Sequence, residues 1–208
     1  PSPMTYVGTN SWIVAEPGAK ECVVIDPAPA GEQVQRILAT CSEAGLRIGA
    51  IVATHDHPDH IEGIPELVAA TGAPVYAPRT SRIEQLLQKR GFAKCVDVKC
   101  ACSEGAEDVG AVEAGAAGEL DSGGLPHSCE EKAGWSADVQ ALPNDAFRPF
   151  EGAPEFEIVA LPGHSEDSVG LLYPAEQSLF TGDVLFRHGP TVVFHPDGVL
   201  ASYFASLD

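Results

Sequence analysis

The run Thr54-His55-Asp56-His57-Pro58-Asp59-His60 places three imidazoles and, at Asp59, a carboxylate within six residues. Neutral imidazole nitrogen and carboxylate oxygen are the donors a borderline-soft divalent ion prefers. In a loop leaving a strand, residues two apart point the same way, so His55 and His57 reach one ion while Asp59 and His60 turn towards a second. The plain alternative is an exposed polar turn rich in histidine. Three of the chain's seven histidines stand in this run, directly behind an apolar strand, which weighs against it. Two ions about 4 Å apart lower the pKa of a shared water and polarise a carbonyl or phosphoryl oxygen, so the expected chemistry is hydrolysis by a metal-activated hydroxide. No serine or cysteine nucleophile is needed. Asp59 is expected to orient that hydroxide by accepting its hydrogen bond.

Two later motifs supply what the first cluster lacks. Leu161-Pro162-Gly163-His164-Ser165 follows an apolar run and offers a third imidazole at a tight turn. Phe180-Thr181-Gly182-Asp183 offers a carboxylate at another strand end, and two carboxylate oxygens can bridge two cations. Each is weak alone, because an isolated aspartate is commonly a cap or turn residue and an isolated histidine a surface one.

The elements that must hold these residues are short. Asn10 to Ala15 and Cys22 to Ile25 are β-branched or aromatic runs separated by Glu16-Pro17-Gly18-Ala19, a hairpin pattern ending at Asp26-Pro27. Val34, Ile37, Leu38 and Cys41 recur at helical spacing between Gly31 and Gly45. Ile48 to Thr54 predicts a buried strand that ends where the histidines begin. Ile61 to Thr71 predicts a second helix, Ala73 to Ala77 a strand and Arg79 to Arg90 a third helix, giving the order ββαβαβα. Glu155 to Ala160, Ser168 to Tyr173 and Ser178 to Thr181 predict a second sheet, Thr191 to Phe194 one more strand, and Val199 to Leu207 a helix. Between them, residues 95–146 are rich in Gly, Ala and acids without a sustained period, and read as an acidic low-complexity insertion in a single domain spanning 1–208.

Composition sets outer bounds. The 208 residues, 44% hydrophobic, suffice for one domain with a core. No apolar run approaches the roughly 18 to 20 residues that cross a bilayer, and PSPMTYVGTN lacks the basic-then-apolar layout of a secretory signal. An intracellular setting without a membrane partner is expected, in the cytoplasm or an organelle such as the mitochondrion. Pro1 in place of an initiator methionine leaves an upstream targeting peptide open. A formal net charge of −18 opposes binding to duplex DNA. Cys22, Cys41, Cys95, Cys100, Cys102 and Cys129 form no even disulfide framework, and the spacing of the last four fits no paired C-x-x-C zinc pattern.

Taken in order, N-S-W-I-V, V-V-I-D-P, T-H-D-H-P-D-H-I-E-G, L-P-G-H-S and L-F-T-G-D-V-L-F resemble the metallo-β-lactamase superfamily in order and approximate separation, over nearly all the chain except the insertion. The resemblance implies an α/β fold, a four-layer αββα sandwich with metals at one edge between the sheets. It implies Zn2+, two per complete site, with iron or manganese as the other ions open. Carried onto this sequence, His55, His57 and His164 hold the first ion, Asp59 and His60 the second, and Asp183 bridges them. The family usually adds one more histidine to the second ion from a later strand-end motif, and this chain reaches Asp208 without it. The expectation is a C-terminally truncated piece whose second half is incomplete, the rival being substitution by His188 or His195.

The tail G-P-T-V-V-F-H-P-D-G-V-L-A-S-Y-F-A-S-L-D and the run P-G-H-S-E-D-S look like the β-lactamase-like protein 2 group, close to glyoxalase II-type thioesterases, some members of which cleave single-stranded RNA. The substrate candidates are thus a small thioester of the hydroxyacylglutathione kind or single-stranded RNA. Net acidity favours the small substrate, while Arg79, Arg82, Lys89, Arg90 and Arg187 are the cations an RNA groove would use. A catalytically impaired metal-binding fragment is the non-enzyme reading. The oligomeric state is left unassigned.

Overall fold

A strand buried on both faces needs apolar side chains on both, and Glu21–Ile25 and Arg47–Val52 supply them. The computed structural model describes residues 9–28, 31–89, 138–187 and 189–208. Its elements are β1 (Trp12–Val14), β2 (Glu21–Ile25), α1 (Glu32–Glu43), β3 (Arg47–Val52), α2 (Pro58–Ile61), α3 (Ile64–Thr71), β4 (Val75–Ala77), α4 (Ile83–Lys89), β5 (Val139–Ala141), β6 (Ala146–Phe147), β7 (Phe156–Ala160), β8 (Val169–Tyr173), β9 (Ser178–Phe180) and α5 (Leu200–Leu207). Strands β1 to β5 form one sheet in that order, antiparallel only at β1–β2, and β6 to β9 form an antiparallel sheet.

Alternation along β2 and β3 sorts the core. Cys22, Val24, Ile48 and Ile51 pack under Val34, Ile37, Ile64, Leu67, Ile83 and Leu87 of the helices. Val23, Ile25, Ala50 and Val52 meet Phe147, Phe156, Leu171 and Tyr173 between the sheets. Helices α1, α3 and α4, the first sheet and the second sheet are therefore three layers of the expected αββα sandwich. Among the described residues α5 is the α-helix that follows the second sheet. It leans on the loop after β7 through Ser206 Oγ to Pro162 O (2.7 Å) and on the loop after β9 through Tyr203 OH to Val184 O (3.2 Å).

Three expectations are corrected. The helix expected over Ile61–Thr71 is two, α2 and α3, broken at Glu62-Gly63, because Gly63 lies against the carbonyls of Pro27 and Ala28 and its N–H bonds to Pro27 O. The insertion expected to run to 146 ends sooner, since Val139–Ala141 pairs in parallel with β4, and residues 146–147 form β6. Residues 90–137, with Cys95, Cys100, Cys102 and Cys129, lie outside the described residues. Thr191–Phe194 is not a strand. Thr191 Oγ1 bonds to Asp183 O, Val192 O meets His164 Nδ1, and Phe194 O accepts from Gly198 N, so its polar groups serve the site and a turn instead of a ladder. Cys22 and Cys41 are buried free thiols, as expected of core cysteines.

Candidate metal centre

Parallel strands β2, β3 and β4 deliver their C-terminal ends to one edge, the place where ligands collect in such sheets. Asp26 follows β2 and the histidine run follows β3. Across the sandwich, His164 follows β7 and Asp183 follows β9, and Val169 N donates to Thr54 O, tying the second sheet to the start of the run. Gly182 closes the gap. With φ of 52°, it takes a left-handed turn at a point where a Cβ would lie 2.4 Å from Thr54 Oγ1.

The hydrogen bonds decide which ring nitrogens are bare. Thr54 Oγ1 donates to Asp26 Oδ2 (2.7 Å), so the same oxygen accepts from His55 Nδ1–H (3.1 Å), leaving His55 Nε2 a lone pair. That Nε2 is buried with no hydrogen-bond partner among the described residues. His164 Nδ1–H donates to Val192 O (2.7 Å), which turns Nε2 towards His57 Nδ1 at 2.8 Å. His60 sets Nδ1 2.9 Å from Asp26 Oδ2, at ion-pair distance but out of line for a hydrogen bond, and Nε2 3.2 Å from Asp183 Oδ1. His55, His60 and His164 thus each point one nitrogen at a fixed neighbour and one into the site, the pattern of oriented metal ligands.

Two donor groups result. His55, His57 and His164 form one, and His55, His60 and Asp183 the other, with the donor atoms of each within 4.8 Å of one another. Asp183 reaches both, Oδ1 at 3.2 Å from His60 Nε2 and Oδ2 at 3.8 Å from His164 Nε2. Asp59 stands at the margin of the second group, its Oδ2 3.6 Å from His60 Nε2. His195 is exposed and joins neither group, and His188 lies outside the described residues.

Charge in this cluster is arranged for a cation. Burial, then the neighbouring His60, His57 and His164, drives His55 well below its ordinary range, and burial with His164 lowers His57, so both are neutral donors. Burial opposes charge on His60 too, yet Asp26 and Asp183 outweigh it and raise His60 to about 10. Asp183 is lowered, because His60 and His164 offset its burial. A proton on His60 therefore stands where the surrounding acids call for positive charge. Buried bare nitrogens, neutral imidazoles and an ionised carboxylate fit a divalent ion.

Asp26, Thr54, Asp56 and Arg82 surround the site, and motif reading singled out none of them for it, Arg82 having been weighed only as a cation of an RNA groove. Asp56, between His55 and His57, is buried and takes Arg82 Nε at 2.8 Å and Nη2 at 3.0 Å, with Arg82 N at 3.0 Å. Burial alone would raise Asp56, and Arg82 lowers it. The available signal was a carboxylate ending each of two apolar strands, at Val24-Ile25-Asp26 and just past Val52-Ala53-Thr54.

This fold gathers at one edge a donor set of the kind that could hold divalent ions. The chain belongs to the metallo-beta-lactamase superfamily, whose family model matches residues 4–207. It is similar to the hydroxyacylglutathione hydrolase of Alkalilimnicola ehrlichii, 24% identical over 196 residues covering 94% of this chain and 54% of that protein. That of Cereibacter sphaeroides is 27% identical over 197 residues, covering 95% and 55%. The chain thus spans about half the length of these relatives. Among solved structures, the BLEG-1 B3 metallo-beta-lactamase aligns with a TM-score of 0.65 at 22% identity, over 99% of this chain and 81% of that one. ETHE1 from Myxococcus xanthus aligns at 0.60 and 24%, over 96% and 63%. A di-iron-bound form of TTHA1623 aligns at 0.62 and 24%, over 98% and 81%.

Proposed function

We propose that this chain carries the dinuclear centre of a zinc-dependent hydrolase acting on a small thioester. The observation that carries the reading is Asp183, whose two oxygens face His60 on one side and His164 on the other. His55, His57 and His164 would hold the first ion, His60 with Asp59 the second, and Asp183 would span both. When bound, such a pair supplies Lewis-acid polarisation of the substrate oxygen and a lowered pKa for the attacking water. The chain's own residues do the rest. Asp26 and Thr54 hold the His60 and His55 rings, and Asp59 would accept a hydrogen bond from the attacking water.

The thioester preference rests on the hydroxyacylglutathione hydrolase relatives and on charge. Of the cations an RNA groove would need, Arg82 is already held by Asp56, and a chain of net charge −18 disfavours a phosphate backbone. Among the described residues no helix is long and apolar enough to cross a membrane.

The test loads the chain with zinc, iron or manganese in turn, counts metal per chain, and offers a hydroxyacylglutathione thioester beside a labelled single-stranded RNA. Thiol release with zinc, lost in Asp183→Asn, and intact RNA are expected. RNA cleavage without thiol release, or activity only with iron, overturns the zinc thioesterase reading.

A further inference from the structure

We propose that Thr9 is the positioning residue of Asp59, and through it of the second ion; the proposal rests on the metal-centre reading above. Thr9 Oγ1 donates to Asp59 Oδ2 at 2.6 Å, linking residues 50 apart in sequence. The gripped oxygen is also the one 3.6 Å from His60 Nε2, so the hydroxyl holds the side of Asp59 that faces the second donor group.

Thr9 is itself fixed in place. Two residues on, Ser11 Oγ donates to Asp26 O at 2.7 Å and accepts from Ala28 N at 2.8 Å, stapling the lead-in of β1 to the end of β2. Trp12 then pairs with Ile25. The same β2 end supplies Asp26, 2.9 Å from His60 Nδ1. Consecutive residues of the four-residue helix α2 are thus held from outside, Asp59 by Thr9 and His60 by Asp26. Without its hydroxyl partner the Asp59 carboxylate is free to rotate about its terminal torsion, which is broad and unrestrained in aspartate. Metal ligands that lose such a partner typically lose about 10- to 100-fold in affinity.

The test titrates metal-free chain with cobalt(II), following visible absorbance and heat, for wild type, Thr9→Val, Thr9→Ser, Asp59→Asn and the Thr9→Val, Asp59→Asn double variant. Thr9→Val is expected to weaken one of two binding steps by about tenfold and to leave the other unchanged. Thr9→Ser restores it, and Thr9→Val adds nothing once Asp59 is Asn. Wild-type binding in Thr9→Val, an effect that persists in the Asn background, or an equal weakening of both steps with a lowered metal-free Tm overturns the positioning role. A wild-type chain that takes up no cobalt overturns the metal-centre reading as well, so the two failures are distinguishable.

Discussion

Asp167 bears a carboxyl that the fold holds in its neutral form more readily than water does. Its Oδ1 accepts the Ser165 hydroxyl at 2.7 Å, while its Oδ2 is buried with no hydrogen-bond partner among the described residues. Burial, reinforced by the nearby Asp56 and only partly offset by the Ser165 bond and Arg82, raises it from 3.8 to about 6. The sign follows from proton counting. Between those values the folded chain keeps a proton that the unfolded chain releases, so stability falls as pH rises from about 4 and the loss is complete above about 6. Asp167→Asn, which never ionises, is expected to be about 1–3 kcal/mol more stable than wild type at pH 7.5 and no more stable near pH 4, by urea unfolding at both. A gain equal at both pH values would assign the effect to something other than ionisation. Asp26 is the complementary case, a buried carboxylate with a full set of partners: Thr54 N at 2.7 Å, Thr54 Oγ1 at 2.7 Å and His60 Nδ1 at 2.9 Å. Its left-handed backbone, φ 49°, is an unusual choice for a residue with a side chain and persists because those contacts hold it.

At the scale of elements, the break between α2 and α3 sets where the candidate ligands Asp59 and His60 sit. A Cβ on Gly63 would lie 2.5 Å from Ala28 O and 2.8 Å from Pro27 O, both backbone atoms that yield only if the loop after β2 moves. Gly63→Ala is therefore expected to cost about 1–3 kcal/mol and to lower metal content as well, measured by chemical denaturation and by metal analysis after dialysis. Unchanged stability with full metal content would mean that the helix pair slides without consequence. This break also marks a limit of sequence reading. Ile61, Ile64 and Leu67 keep helical spacing across Glu62-Gly63, so periodicity registers one element where a tertiary contact makes two. Strand β5 was hidden for a different reason: three residues, Val139–Ala141, are too few to show alternation, and pairing with β4 is what makes them a strand. The longer elements were legible because β2 is a continuous apolar run buried on both faces and α1 buries Val34, Ile37 and Cys41 at helical spacing. The ligand residues were legible by density in His55–His60, and His164 and Asp183 only by their order with it. Asp26, Thr54 and Asp56 were silent because a partner's identity is a property of the fold, and no local pattern encodes it.

Across the whole molecule, the centre is a joint between two sheets. His55, His57, Asp59 and His60 come from the first sheet's edge, His164 and Asp183 from the second's, and the direct link Val169 N to Thr54 O lies beside them. An ion bound by both sets exists only when the sheets are packed, so its binding free energy adds to folding stability. At an ion concentration about 100 times the dissociation constant the gain is about 2.7 kcal/mol. A chain of this size shifts its Tm by about 2–4 °C per kcal/mol, so stripping the metal is expected to lower Tm by about 5–11 °C. Excess zinc should restore it. The control is the His164→Ala, Asp183→Ala double variant, which removes both candidate ligands supplied by the second sheet and leaves the histidine run of the first intact. In that variant chelator and zinc should move Tm by no more than a third as much, since an ion held from one sheet alone gains nothing from their packing. If wild type and the double variant respond equally to chelator in differential scanning calorimetry, the ion is held within the first sheet's loop and does not join the two halves.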